Sequence, residues 1–295
     1  MNSFREVLRS DKFLVTVTLS PPKGIRVESF LRTLESLSGK VDAVNLPDGR
    51  AATIHMGPLA SSLLARERGL EPVFTLSCRD RNRLALSADL LGAYAMGIRS
   101  VLCVSGDYFT FGDTVDGKPV YDLDSVQAIQ MIRQMEQGRD IGGNDLDGVP
   151  DFCVGCVANP QAVPLEPHLM KLEKKLRAGA EFIQTLDVYE PDRATAFFEN
   201  LRTRDVKVLA GVRFVTDREV RLGEAGKFPG NPIPDSWTKE IEGIREEGEI
   251  LKRAKARVVE MLRRFRDSGL CDGVHLTVDG HEGLIPEMLQ EAGVR

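Results

Sequence analysis

Phe13-Leu14-Val15-Thr16-Val17-Thr18-Leu19, followed by Ser20-Pro21-Pro22-Lys23-Gly24, is the stretch on which the fold turns. The first part is short, apolar and valine-rich, as a buried strand is. The valines and Leu19 share one parity, and Thr16, Thr18 and Ser20 share the other. Successive strand side chains point to opposite faces. One face therefore suits a covering layer of helices, and the other a polar interior. The second part decides between two architectures. An open, doubly wound sheet that binds a dinucleotide carries Gly-x-Gly-x-x-Gly after its first strand. The turn here has no such pattern.

Seven further apolar runs follow, at 41–46, 72–76, 100–104, 152–157, 181–185, 206–212 and 273–278. Between them lie helix candidates at 28–37, 58–68, 81–96, 125–137, 167–178, 191–204, 217–225, 247–268 and 283–291. Several open near proline or close on glycine, the usual helix punctuation. Strands alternating with helices predict an all-parallel sheet. Eight such units in 295 residues predict closure into a (β/α)8 TIM barrel, α/β in class. No linker divides the chain, so residues 1–295 are expected to form a single barrel domain. The long stretches 106–122 and 137–150 flank the helix at 125–137 and are expected to serve a site.

Composition narrows the partners. The net charge is −5, which argues against a nucleic-acid surface. No run of 18 apolar residues occurs, so no membrane span is expected. Met1 to Lys12 lacks the apolar core of a signal peptide. The five cysteines are odd in number and scattered, which fits reduced thiols in the cytoplasm. Cys153 and Cys156 form a Cys-x-x-Cys pair, but on a strand such positions face opposite ways. No second pair completes a zinc site. Two core cysteines and no metal are expected.

A barrel carries its site at the C-terminal strand ends. Those ends here are Thr18 and Ser20; Asn45 before Pro47-Asp48-Gly49; Thr75-Leu76-Ser77-Cys78 before Arg79-Asp80-Arg81-Asn82; and Ser105-Gly106-Asp107. Asn159, Gln184 through Asp187, Arg213 and Asp279 follow. Gly106 is expected to let a flat ligand approach the backbone. His168, Lys171 and Lys175 fall on one helical stripe that could bind phosphates. From spacing alone a solvated face is favoured for them.

Taken in order, these motifs resemble methylenetetrahydrofolate reductases, in particular the short bacterial forms of acetogens and sulfate reducers. Ser20-Pro21-Pro22, the 75–82 string, Ser105-Gly106-Asp107, the Lys175–Thr185 string (Lys-Leu-Arg-Ala-Gly-Ala-Glu-Phe-Ile-Gln-Thr) and Gly273-Val274-His275-Leu276 carry the likeness from about residue 12 to 293. The resemblance implies FAD held across the strand ends and reduction of 5,10-methylenetetrahydrofolate, or a related methylene-pterin, to the 5-methyl form. It implies NAD(P)H or a partner subunit as electron donor, and an oligomer. By the same resemblance Asn45, Thr75, Ser105, Gly106, Tyr121, Asn159 and Lys175 match flavin-contact positions, and Asp107 matches the aspartate beside the flavin.

Two positions depart from the family pattern. Thr18 stands where the family carries the glutamate that protonates the folate. Leu186 stands where the family carries a glutamine that hydrogen-bonds the pterin, and Gln184, one layer deeper, is a doubtful substitute. A threonine hydroxyl is far too weak an acid to replace a carboxyl near neutral pH. Loss of a positioned general acid costs on the order of 10²–10⁴ in rate. Two alternatives therefore stay open beside the reductase. One is a flavin-binding paralogue with lost or altered folate chemistry that serves electron transfer. The other is a pterin-binding methyltransferase barrel without flavin.

Overall fold

Each apolar run becomes a strand, and parallel pairing of neighbours closes the sheet on itself. The computed structural model describes residues 3–201, 205–228 and 230–295. The strands are β1 (Leu14–Thr18), β2 (Ala43–Leu46), β3 (Pro72–Ser77), β4 (Ser100–Val104), β5 (Cys153–Ala158), β6 (Phe182–Asp187), β7 (Lys207–Arg213) and β8 (Gly273–Thr277). They form a closed barrel in sequence order, β8 pairing with β1. The chain is thus a (β/α)8 barrel. The helices are α1 (Phe4–Leu8), α2 (Glu28–Leu37), α3 (Pro58–Glu67), α4 (Arg83–Ala95), α5 (Ser125–Met135) and α6 (Glu166–Arg177). Then come α7 (Pro191–Leu201), α8 (Asp217–Glu224), α9 (Asp235–Ile241), α10 (Glu247–Ser268) and α11 (Ile285–Ala292).

Strand parity sorts the core into two layers. Val15, Val17, Leu19, Phe74, Leu76, Cys103, Cys156 and Ile183 pack outward beneath the helices. Leu14, Ala43, Val73, Leu102, Cys153, Phe182 and Leu209 point inward and fill the lower barrel, where Phe4 and Leu8 of α1 close it. Cys153 and Cys156 therefore face opposite ways, both buried, as expected. Phe4 meets Phe182 edge to face, with ring centroids 5.2 Å apart. Phe182 has room only because β5 carries Gly155: a Cβ there would lie 2.1 Å from the ring.

Element ends differ from expectation for local reasons. α4 starts at Arg83, not 81, because the Asn82 side chain accepts a hydrogen bond from the Ala85 N–H and caps the helix. α7 is described to Leu201, and its expected end at 202–204 lies outside the described residues. α1 and α9 were not anticipated. At five and seven residues they are too short to display a helical period. The stretch 137–150 joins α5 to β5. It is an αβ connection at the opposite end of the barrel from a strand-end site, so it is not a site loop. Only 106–122, which follows β4, lies at the site end.

If the lower barrel is packed as described, Gly155→Ala must displace the Phe182 ring. It should lower the free energy of urea unfolding by about 1–3 kcal/mol, the usual cost of overpacking. An unchanged midpoint would show that the ring has space to move.

Candidate active site

Above the apolar plug the barrel axis opens into a cavity of about 460 Å³ at the C-terminal strand ends. Every strand contributes to it: Thr18 from β1, Asn45 from β2, Thr75 from β3, Leu102 and Val104 from β4, Val157 and Ala158 from β5, Gln184 through Asp187 from β6, Arg213 from β7, and His275 and Thr277 from β8. Strand parity puts Cys103 outside, yet Ser105, Gly106 and Asp107 all line the cavity. The strand ends at Val104 and the backbone turns at Gly106, whose φ is +94°. A Cβ on Gly106 would meet Arg79 Cβ and Ser77 Oγ, each at 2.6 Å. The glycine thus makes room for Arg79 and Ser77, and it also lines the cavity.

The floor is an ordered polar network. Thr75 Oγ1 donates to Asn45 Oδ1 at 2.6 Å, and Asn45 Nδ2 donates to Gln184 Oε1 at 3.4 Å. β6 is irregular between Gln184 and Asp187. There the Thr185 hydroxyl accepts from the Gly211 N–H and donates to the Leu186 carbonyl. The irregularity brings Gln184, Thr185, Leu186 and Asp187 all to the cavity wall. Beside them His275 is held between two threonines, with Nδ1 2.8 Å from Thr16 Oγ1 and Nε2 2.7 Å from Thr18 Oγ1. Burial, with smaller contributions from Arg50 and Arg213, pushes His275 down from 6.5 to about 3. The imidazole is neutral at physiological pH.

The wall on the β6–β8 side is charged but balanced. Arg213 Nε donates to Asp187 at 2.5 Å and its Nη1 to Asp279 at 3.2 Å, while Arg50 binds Asp279 through both Nη atoms at 2.5 and 2.9 Å. Burial works to raise Asp279, but the two guanidiniums outweigh it and bring the carboxyl to about 2. Arg50 belongs to a strap across the mouth. The Ala51 N–H donates to Asp107 Oδ2 at 2.7 Å, and Arg79 donates to the carbonyls of Gly49 and Asp107. Ala51 and Ala52 both sit at φ +51°, a conformation that costs a non-glycine residue roughly 1–3 kcal/mol. These anchors hold it.

The β5–α6 side is different. Lys175 is 8% exposed, and its ammonium donates to the Val157 carbonyl at 2.6 Å. Among the described residues it pairs with no carboxylate, and burial lowers its pKa. Lys171 and His168 reach the same cavity from the exposed rim. The stripe is thus a cavity wall with a buried cation, not the solvated face favoured from spacing. Buried charge without a partner is costly, so this end suits an anionic group such as a cofactor phosphate.

The profile of the methylenetetrahydrofolate reductase family matches residues 3–293. The chain belongs to the methylenetetrahydrofolate reductase family. A probable methylenetetrahydrofolate reductase (NADPH) of Caenorhabditis elegans is 27% identical over 289 residues, covering 93% of this chain and 41% of that protein. Methylenetetrahydrofolate reductase 2 of Schizosaccharomyces pombe is 21% identical, covering 82% and 39%. The chain spans about two fifths of the length of these curated relatives. Among solved structures, a Clostridium thermocellum protein that binds two copies of 5-methyl-5,6,7,8-tetrahydrofolic acid superposes with a TM-score of 0.67 at 14% identity, covering 98% of this chain and 96% of that one. An F420-dependent secondary alcohol dehydrogenase gives 0.56 at 11%, covering 96% and 99%. At such identities these two likenesses speak for the barrel alone.

Of the residues expected from the family pattern, Thr18, Asn45, Thr75, Ser105, Gly106, Asp107, Asn159, Lys175, Gln184 and Leu186 all line the one cavity. Tyr121 does not. It is 38% exposed with φ +42°, one residue past Val120, whose N–H donates to the Arg79 carbonyl at 2.7 Å. No helix of the described residues is long and apolar enough to cross a membrane, and no group of three or more of their His, Cys, Asp or Glu residues could hold a metal ion. Sequence reasoning passed over the roles of His275, Arg50, Arg79 and the Asp187–Arg213–Asp279 network. The histidine stands within the Gly273-Val274-His275-Leu276 motif. Its signal was the inward parity it shares with Thr277 on β8.

The buried imidazole sets a pH dependence. The unfolded chain takes up this proton near 6.5, whereas the folded chain refuses it until about 3. Below pH 6.5 the unfolded state binds more protons, so stability falls as pH falls. Between pH 6.5 and 4.5 denaturation should show a loss of up to about 1 kcal/mol per pH unit from this group. His275→Gln should flatten that slope, and a slope unchanged in the variant would assign it elsewhere.

Proposed function

We propose that residues 1–295 act as a single flavin-binding barrel that holds FAD across the strand ends and reduces 5,10-methylenetetrahydrofolate, or a related methylene-pterin, to the 5-methyl form. Electrons come from NAD(P)H or from a partner subunit. The observation that carries this reading is the convergence in one cavity of the residues at flavin and folate positions of the family, with a buried, unpaired Lys175 among them. The Clostridium thermocellum barrel, which binds a reduced folate, is consistent with a pterin ligand.

The donor set fits the cofactor. Lys175, with Lys171 and His168 at the rim, would hold the anionic diphosphate through charge-assisted hydrogen bonds. Asn45, Thr75, Ser105, Gly106 and Asn159 would line the path of the flavin, whereas Tyr121, the remaining flavin position of the family pattern, lies outside the cavity lining. When bound, the flavin supplies hydride transfer, leaving binding, orientation and electrostatics to the protein. Asp107 is the one carboxylate beside Ser105-Gly106. One of its oxygens is engaged by the Ala51 N–H, which orients the other toward the ligand and favours positive charge on a folate iminium. Gln184, held by Asn45, is an amide of the β6 wall one layer deeper than Leu186, where the family glutamine is missing. Thr18 does not deliver a proton as a carboxyl would.

That last point supports the second reading, a paralogue with slowed or redirected folate chemistry. The two are separated by kinetics. The purified chain should carry about one FAD, and Lys175→Ala should weaken its retention by about tenfold or more. Full occupancy in the variant would remove Lys175 from the flavin site. In stopped flow, oxidation of the reduced flavin by methylenetetrahydrofolate should be slow in the wild type. It should rise roughly 10- to 100-fold in Thr18→Glu, and further with Leu186→Gln added. Fast wild-type oxidation with no gain in either variant would mean that another group already supplies the proton.

A further inference from the structure

Thr16, His275 and Thr18 form one hydrogen-bonded chain across the β1–β8 seam, and its protons can be counted. Thr16 Oγ1 is 2.8 Å from His275 Nδ1 and 3.4 Å from the Val274 carbonyl oxygen, and Thr18 Oγ1 is 2.7 Å from His275 Nε2. Their relative exposures are 2%, 3% and 6%. Thr18 and His275 reach the cavity wall and Thr16 does not. Each hydroxyl owns one proton, a neutral imidazole owns one N–H, and a carbonyl only accepts.

One arrangement satisfies all three contacts. Thr16 donates to Val274, Nδ1–H donates to Thr16, and Thr18 donates to the lone pair on Nε2. The opposite tautomer turns Thr16 toward Nδ1 and sets its lone pairs against the Val274 carbonyl oxygen, where both residues are buried. In the satisfied arrangement the only free valences of Thr18 that face the cavity are lone pairs.

We propose that Thr18 meets the ligand as a hydrogen-bond acceptor, with His275 as the residue that fixes this polarity, and that the site thereby prefers the ring-opened 5-methyl folate to the bridged 5,10-methylene folate. The preference rests on the folate reading above, whereas the polarity does not. In the bridged form the two nitrogens joined by the methylene carry no hydrogen. In the 5-methyl form the ring is open and N10 is a secondary amine with an N–H to donate. An acceptor at position 18 pairs with that N–H and opposes the lone pair of the bridged nitrogen. A site that pairs a polar group discriminates against the ligand that leaves it unpaired.

Two measurements on the full chain test this. With only four histidines in the sequence, ¹⁵N spectra of the labelled protein resolve each ring, and the Thr18→Val variant identifies His275 by its perturbed Nε2. The proposal expects the proton on Nδ1 and a bare Nε2. A proton on Nε2 overturns it. Isothermal titration of the oxidised protein should then show the 5-methyl form binding about three- to tenfold more tightly than the 5,10-methylene form. Thr18→Val, close in shape but without the oxygen, should bring the ratio near one while leaving the flavin bound. A ratio unchanged in Thr18→Val overturns the preference. Binding of neither form overturns the folate reading and the preference with it, and the tautomer still decides the polarity.

Discussion

A closed eight-stranded parallel barrel must fill its own axis, and the rest of this molecule follows from how far that filling goes. The lower half is occupied by Phe182, Leu14, Leu102 and Leu209, sealed by Phe4 from a five-residue helix. Main-chain groups are spent in the strand ladder, so the remaining space belongs to side chains alone. One layer higher the inward positions become Thr16, Thr18, His275 and Gln184, and the axis opens. Polar groups at this depth are tolerated only when paired. They hydrogen-bond one another across strands, as Thr75 does with Asn45 and Asn45 with Gln184. The cavity floor is therefore ordered before any ligand arrives.

Charge is distributed on the same principle and leaves one imbalance. Around β6–β8 the cations Arg50 and Arg213 meet the anions Asp187 and Asp279, which gives a neutral wall. The strap carrying Arg50 is tied to the barrel at Asp107 and Arg79, strongly enough to keep two alanines in the left-handed region. Around β5 and α6 the buried Lys175 binds, among the described residues, only the Val157 carbonyl. One end of the cavity is thus settled, and the other has a place for negative charge. That asymmetry suits a ligand with one anionic end.

The barrel was legible because each strand is a short apolar run and each helix has a periodic face. The parity of Thr16 and Thr18 against Val15 and Val17 carried straight into the structure. Parity failed where the strand stopped. Beyond Val104 and within the irregular β6, residues of both parities reach the cavity. Gly106 lines the cavity and also seats Arg79, which local spacing could not show, since it does not tell which side chain fills a glycine's empty side. The ion network of Arg50, Arg213, Asp187 and Asp279 joins three distant segments, and no local pattern could have assembled it. The family likeness, by contrast, lay in ordered motifs, and the match over 3–293 agrees with it.

The central claim is that this cavity holds a flavin together with a reduced folate. It is tested most directly by the visible absorption spectrum of the purified wild-type chain, recorded anaerobically before and after addition of 5-methyltetrahydrofolate. The account predicts a bound flavin band, with about one FAD released per chain on denaturation, and a saturable change in that band as folate is added. A colourless protein that takes up no FAD on reconstitution, or a flavin band indifferent to saturating folate, would contradict it.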